Sequence, residues 1–385
     1  MGRRVRCQVP GRATHCSHRK GPQVARLYRR RRGGNGMAAA LLQFRVLSGN
    51  PPSLAQVQTP VIAEWARQGR LGNVDIVART QNWDALLPLQ VRAAVQHDGK
   101  YVAVPVNVHR LNWLWINTSA LERAGASVPS TWQEFFDTAE KLKRAGFVAL
   151  AHGGEQWQDH LLFQTVALGV GGGEFYVKAL LEFDPAALSS LTMEQVLLTF
   201  RRLKQYTQPK EPARRWMKAS EMLINGSAGM QFMGDWAKPT FTGAKARSGW
   251  AFHCTAAPGT AQYFLFATDA FAVFRPDGAE AARAQLDFAG VAMSAPVQTS
   301  FNLAKGSIPV RLDMDARSFD HCGVIAVQAY RRAAHNGNLI PNATVSARRD
   351  VEQRIPAITS AFWRDGRITP QTAMKRLVQA VRQHP

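Results

Sequence analysis

The segment from Pro129 to Ala151 constrains the fold most strongly, because it reads as a complete helix-to-strand unit. Thr131 and Glu134 have the spacing of a capping box, in which each side chain accepts a hydrogen bond from an exposed backbone N–H at the helix start. An amphipathic helix then runs to a stop at Gly146 and is followed by an apolar strand over residues 147–151. This helix-to-strand rhythm is typical of layered α/β domains.

Hydrophobic periodicity predicts further elements of both kinds. Helices are predicted over residues 37–47, 60–67, 193–206, 220–224, 279–293 and 370–382, and strands over 101–108, 112–117, 228–233 and 270–274. The chain has 385 residues, which suits two lobes of roughly 150–200 residues each better than one core. Its composition, 46% hydrophobic and 19% charged, indicates a mostly globular protein.

Residues 1–36 differ sharply from the rest of the chain. They contain eleven Arg or Lys, no Asp or Glu, and no apolar run, so we expect them to be disordered. They also lack the apolar stretch of a secretory signal. This segment supplies about half of the net charge of +21, so the charge does not indicate a nucleic-acid surface on the body. If the arginines bind nucleic acid, we expect only weak, nonspecific and salt-dependent affinity.

Motifs that signal catalysis are missing from the sequence. It has no P-loop, no Gly-x-Ser-x-Gly elbow, no His-Glu-x-x-His and no Cys-x-x-Cys. The run from Gly171 to Gly173 is predicted to be a plain loop, since no Lys-Ser/Thr follows it as in a phosphate cradle. His152 and His160 do not have the spacing of a standard zinc site. We therefore expect no metal site.

Tryptophan is abundant, with ten residues, and several lie beside polar groups in turn-like settings. The clearest cases are Trp157, followed by Gln158 and Asp159, and Trp236, preceded by Asp235. The apolar C–H faces of a sugar stack on aromatic rings, and its hydroxyls pair with polar side chains. Both segments fit carbohydrate binding, but half-buried structural tryptophans would produce the same pattern.

An ordered series of motifs resembles the extracellular solute-binding proteins of ABC sugar importers, and more narrowly their glucose/mannose-binding members. The motifs follow one another over most of the chain, in the segments Ser48–Pro52, Asn82–Pro88, Tyr101–Arg110, Asn112–Asn117, Ala149–Gly154, Ile224–Met230, Met233–Lys238 and Phe301–Arg311.

The resemblance implies a two-lobed α/β fold of the type II periplasmic-binding-protein class, with a hinge and an inter-lobe cleft. Lobe 1 would comprise residues 37–111 and 268–313, and lobe 2 residues 112–267 and 314–385. The implied protein is a periplasmic monomer without cofactor or catalysis. It would capture a monosaccharide or small oligosaccharide by hinge closure and deliver it to the membrane permease subunits of the importer.

The resemblance also implies cleft residues at matching positions. They come from both lobes and combine amide, imidazole, indole, carboxylate and ammonium groups: Asn107, His109, Trp157, Gln158, Asp159, Asp235, Trp236, Asp269 and Lys305. A glycoside hydrolase is the alternative function, because Asp159, Asp235 and Asp269 offer the carboxyl pair that such an enzyme needs.

The chain also departs from the family pattern. It lacks the family's first strand and signal peptide, has Gln58 where relatives often have Lys, and has Val345 near the position of a site His. Family members have a Gly-rich loop where this chain has Arg29–Arg32, and Gly codons of GC-rich DNA read out of register commonly become Arg codons. We hypothesise that residues 1 to about 32 are a frameshifted reading; a disordered basic tail is the alternative.

The four cysteines divide between the basic segment, with Cys7 and Cys16, and the body, with Cys254 and Cys322. The last two either form a disulfide in an exported protein or are two small buried thiols.

Overall fold

The structure, a computed structural model, describes residues 35–58, 60–208, 215–248, 251–343 and 349–382. The predicted segment 1–36 therefore lies almost wholly outside the described residues, as does Val345. The chain divides between Asn50 and Pro51 into two compact units. None of the described helices is both long and apolar enough to cross a bilayer.

The described strands, in chain order, are β1 Leu54–Gln58, β2 Gln96–His97, β3 Lys100–Tyr101, β4 Ala103–Arg110, β5 Trp113–Asn117, β6 Val148–Leu150, β7 Ala228–Phe232, β8 Phe252–Ala256, β9 Phe264–Val273 and β10 Leu339–Pro341.

The described α-helices are α1 Asn35–Leu47, α2 Pro60–Arg67, α3 Asp75–Thr80, α4 Trp83–Leu86, α5 Leu89–Val95, α6 Thr118–Arg123, α7 Trp132–Arg144, α8 Gln156–Tyr176, α9 Pro185–Leu188, α10 Leu191–Leu203, α11 Trp216–Ile224, α12 Lys238–Ser248, α13 Gly278–Ala292, α14 Ala295–Lys305, α15 His321–His335, α16 Arg349–Arg364 and α17 Pro370–Arg382. Short π- or 3-10 turns occupy Val177–Leu181, Lys204–Tyr206, Asp235–Ala237 and Ala316–Ser318.

The first sheet is organised around the long strand β9. Strands β1 and β4 pair with it antiparallel, and β10 pairs with its first three residues in parallel. In this register both Asn107 of β4 and Gln58 of β1 lie opposite Asp269. The sheet includes residues 264–267 and 339–341, which the predicted boundaries assign to the second lobe, because β9 is one continuous strand that starts before Asp269.

The second sheet has the order β6-β7-β5-β8, with β5 antiparallel to both neighbours and β6 parallel to β7. Every residue of β5 and of β7 is buried. Strands buried on both faces read as continuous apolar runs rather than alternating ones. The sequence Trp113-Leu-Trp-Ile therefore fits a central strand.

Two chain segments connect the sheets, one between β4 and β5 and one between β8 and β9. The buried side chain of Asn112 joins them. Its Nδ2 donates to the Thr260 hydroxyl at 2.9 Å and to the Tyr263 carbonyl at 3.1 Å, and its Oδ1 accepts from the backbone N–H of Leu265 at 3.1 Å. The two connections thus form a single hydrogen-bonded crossing.

The helix-to-strand unit predicted from the sequence is present in the structure. The Thr131 hydroxyl accepts from the Glu134 N–H at 3.2 Å, and the Glu134 carboxylate accepts from the Thr131 N–H at 3.2 Å, which completes the capping box. The prediction for the glycine run is wrong. Residues 171–173 lie within α8, where Gly172 breaks the helical geometry with φ of +78°. Positive φ is accessible to glycine without steric cost, so the chain kinks there without forming a loop.

Cys254 of β8 and Cys322 of α15 form a disulfide, with Cα atoms 6.1 Å apart. Of the two alternatives that the sequence allowed, the structure therefore contains the bonded pair. The bridge closes a loop with a sequence separation of 68 residues and fixes the start of α15 to the edge of the second sheet.

Replacement of both cysteines, C254S/C322S, should lower the free energy of unfolding by about 2–4 kcal/mol, because a cross-link across a long loop restricts the unfolded chain. Urea unfolding without reductant measures the loss, and the reduced wild type should reproduce it. An unchanged midpoint in both samples would contradict this expectation.

Candidate ligand-binding site

A cluster of polar side chains lies where the two sheets meet. From the first sheet it includes Asn107 and His109 of β4 and Asp269 of β9. From the second it includes Asp235, in the turn that follows β7. Asn107, His109 and Asp269 share one face because side chains two residues apart on a strand project to the same side and directly paired residues lie side by side.

His109 is the centre of this cluster. Its Nδ1 contacts Asp235 Oδ1, and its Nε2 lies 2.8 Å from Asn107 Nδ2 and 3.6 Å from Asp269 Oδ2. Asp235 is also held through its Oδ2, which accepts from the backbone N–H of Arg110 at 2.9 Å. One imidazole thus joins a carboxylate of the first sheet to a carboxylate of the second.

The electrostatics of the cluster follow from these contacts. Burial by itself lowers the pKa of His109, but the Asp235 and Asp269 carboxylates outweigh burial and raise that pKa to about 9. Burial raises the pKa of Asp269. The contacts with His109 and Lys305 lower that pKa by more than burial raises it, so that it lies well below its usual range. The two carboxylates therefore favour the protonated form of His109, and Asp269 is ionised.

Lys305, at the end of α14, contacts Asp269 Oδ2 and completes the set of charged groups. The residue after it, Gly306, brings this segment of the first lobe against the second. A Cβ atom on Gly306 would lie 2.5 Å from Pro239 Cδ and 2.9 Å from the Asp235 carbonyl oxygen. The two sides of the site therefore touch closely at this glycine.

Two tryptophans flank the polar cluster. Trp236 meets His109 edge-on, with ring centroids 5.4 Å apart and an interplanar angle of 80°. Trp157, which is 42% exposed, lies with its ring 6.2 Å from that of Trp236. Its indole N–H donates to Glu155 at 3.2 Å. The tryptophans supply aromatic surface beside the hydrogen-bonding groups, as a sugar requires.

Six of the nine predicted site residues thus form one cluster: Asn107, His109, Asp235, Trp236, Asp269 and Lys305. Trp157 lies beside it, and Gln158 and Asp159, which follow it in α8, are buried. Gln158 donates to Glu155 at 2.6 Å, and the same carboxylate oxygen accepts from the Trp157 indole.

Asp159 belongs to a separate buried network. It pairs with His152 Nε2 at 2.7 Å and accepts from the Ser360 hydroxyl at 2.5 Å. The Arg364 Nε lies 3.4 Å away, and that arginine also donates to the Gly154 carbonyl at 2.8 Å. These contacts tie the first turn of α8, which carries Trp157, and Gly154 before it to α16.

Sequence reasoning missed Gln56, whose amide donates to Asp269 Oδ2 at 3.2 Å. The alternation of Ala55-Gln56-Val57-Gln58 indicates a strand, but its alignment with β9 is a tertiary feature. Sequence reasoning also missed Glu155, which holds both Trp157 and Gln158. A carboxylate just before a helix start was the available signal.

Comparison with known proteins identifies the family of this chain. A family model described as "Bacterial extracellular solute-binding protein" matches residues 31–293. The chain belongs to this family. A relative from Brucella suis biovar 1 (strain 1330), named "Probable sugar-binding periplasmic protein", is 38% identical over 358 residues, 91% of this chain and 83% of that protein.

Solved structures show the same fold at low identity. One is a chitin oligosaccharide binding protein, with a TM-score of 0.72, 17% identity, and coverage of 88% of this chain and 85% of that one. Another is the solute receptor AcbH, described with an exclusive preference for b-D-galactopyranose, with a TM-score of 0.69, 19% identity, and coverage of 90% and 88%. The two-lobed type II fold expected from the sequence is thereby confirmed.

The family is one of binding proteins, not enzymes. The site agrees with this. A glycoside hydrolase needs one carboxylic acid with a raised pKa to protonate the leaving group, whereas in this solute-binding protein the pKa of Asp269 is lowered. Asp159 is enclosed in its own buried network.

The stability of this solute-binding protein should fall as the pH rises from about 6.5 to 9. The folded pKa of His109, about 9, exceeds the unfolded value of about 6.5. Its stabilising protonation is therefore complete below pH 6.5 and lost through pH 9, with an effect on the order of 1–3 kcal/mol. Urea unfolding across this range measures it, and His109→Gln should flatten the profile. Equal slopes in both proteins would exclude His109 as the cause.

Proposed function

We propose that this protein captures a neutral sugar between its two lobes and delivers it to the membrane subunits of an ABC importer. One observation carries the proposal: hydrogen-bonding groups from both sheets converge beside two tryptophans at the inter-lobe crossing. A ligand closes a hinge only by making better contacts in the closed state. A site built from both lobes meets that condition.

The charges of the cluster favour an uncharged ligand. Two carboxylates, Asp235 and Asp269, are matched by two basic side chains, His109 and Lys305. A ligand with a net charge would disturb a buried set that already compensates itself, and burying an uncompensated charge is costly. Sugar hydroxyls, in contrast, both donate to carboxylates and accept from ammonium and amide groups.

The relatives support a sugar as the ligand class, since one is named a probable sugar-binding protein and the two solved structures bind a chitin oligosaccharide and galactopyranose. Within that class we propose a glucose- or mannose-like monosaccharide or a small oligosaccharide, on the resemblance of the motifs alone. The disulfide fits a protein that works in the oxidising periplasm, and we propose that it acts there as a monomer.

Asp269→Asn should weaken sugar binding by about 1–3 kcal/mol, because the amide has one acceptor oxygen in place of two and no charge to pair with Lys305. Calorimetry with a panel of hexoses and short oligosaccharides measures the affinity. Asp315→Asn is the matched control, an exposed aspartate paired with its neighbour Arg317. Wild-type affinity in Asp269→Asn would remove this residue from the site, and no binding by the wild type would refute a sugar function.

Gly306→Ala should weaken binding more than Gly337→Ala. Both glycines have positive φ, +86° and +73°, so both substitutions strain the backbone. A Cβ at Gly337 meets open space, whereas at Gly306 it meets the opposite lobe at Pro239 and Asp235. Only Gly306→Ala should therefore keep the lobes apart. The same calorimetry compares the two proteins, and equal affinities would show that closure does not require this contact.

A further inference from the structure

The first turn of α15 is fastened at two points near the candidate site. Cys322 is bonded to Cys254 of β8. Asp320, which caps the helix by accepting from the Gly323 N–H at 2.8 Å, also pairs through the same oxygen with Lys238 Nζ at 3.2 Å. We refer to the disulfide and the Lys238–Asp320 pair together as the α15 anchor.

Lys238 connects this anchor to the site. It is the residue directly after the Asp235–Ala237 turn and the first of α12. Its side chain is 7% exposed, so its ammonium has left bulk water and needs a partner. Asp235, Lys238 and Cys322 line the same narrow gap, which is walled by Trp113 and Trp115. The anchor and the carboxylate of the site are thus immediate neighbours.

The turn that presents Asp235 and Trp236 is short, and the Asp235 side chain is held to the first sheet by His109 and the Arg110 N–H. It is a single 3-10 turn of three residues, closed by backbone hydrogen bonds from the Ala237 N–H to the Gly234 carbonyl at 3.1 Å and from the Lys238 N–H to the Asp235 carbonyl. Its upstream side is held where the Trp115 indole N–H donates to the Met233 carbonyl at 2.7 Å. Its downstream side continues into Lys238. Hydrogen-bond geometry is poorer in a 3-10 turn than in an α-helix, so the backbone position of this turn also depends on what holds its ends.

We propose that the α15 anchor positions the Asp235–Trp236 wall for ligand binding, and this inference rests on the proposed sugar-binding function. Without the disulfide, the first turn of α15 is free to move away from β8, and Asp320 moves with it. Lys238 then loses its carboxylate partner and turns toward water, which displaces the adjoining turn. The anchor residues touch no ligand themselves and act through Asp235 and Trp236.

The test compares sugar affinity with stability in C254S/C322S, in Asp320→Asn and in their combination. Asp320→Asn retains an oxygen that can cap α15 but removes the charge that pairs with Lys238. Asp315→Asn is the matched control, since that exposed aspartate caps the short turn 316–318 and pairs with Arg317. Affinity is measured by calorimetry with the sugar from the panel above that binds the wild type, at a temperature well below each melting transition. Intrinsic fluorescence reports the surroundings of the tryptophans.

C254S/C322S and Asp320→Asn should each bind the sugar about 3- to 30-fold more weakly than the wild type, with an altered tryptophan fluorescence spectrum. Reoxidation of the reduced wild type should restore its affinity. The combined variant should bind little worse than C254S/C322S, because both changes release the same turn. A lowered melting temperature with unchanged affinity in both variants would mean that the anchor is only structural, and would overturn the inference alone. Failure of the wild type to bind any sugar would overturn the proposed function, and this inference with it.

Discussion

The contact of one imidazole with two carboxylates, Asp235 and Asp269, is the interaction on which this structure depends. Two buried carboxylates drawn from different sheets would repel each other and lose their hydration, which is costly unless a cation lies between them. His109 supplies that cation, and the Arg110 N–H adds a neutral donor. The two sheets therefore meet at a point where polar groups are satisfied, next to the crossing that Asn112 holds together.

Under the proposed function, the same meeting point couples sugar binding to closure of the lobes. The crossing segments, the close approach at Gly306 and the tryptophan surface lie within a few residues of the cluster. A ligand held there contacts both lobes at once, and its binding free energy acts directly on their separation. Asp159 and Lys238 are both buried and paired, Asp159 with His152 and Lys238 with Asp320.

The predictability of individual residues followed the geometry of the element that carries them. Asn107 and His109 were expected from the family resemblance, and alternation along β4 explains why their side chains share one face. The helix after Thr131 was predictable because its capping box is local. Gln158 and Asp159 were expected in the cleft from the same family resemblance, and in α8 both are buried, Gln158 against Glu155 and Asp159 against His152. Gln56 was not predicted because its hydrogen bond to Asp269 depends on the alignment of distant strands.

By itself the sequence determined the α/β class, most of the helices and strands, the family and the kinds of side chain that the site uses, because these depend on periodicity, capping and ordered motifs. The tertiary structure alone decided the pairing of Cys254 with Cys322, the ladder position of Gln58 opposite Asp269, and the sharing of His109 between two lobes. Each of these joins residues far apart in the chain, and nothing in local sequence encodes the distance between atoms that only folding brings together.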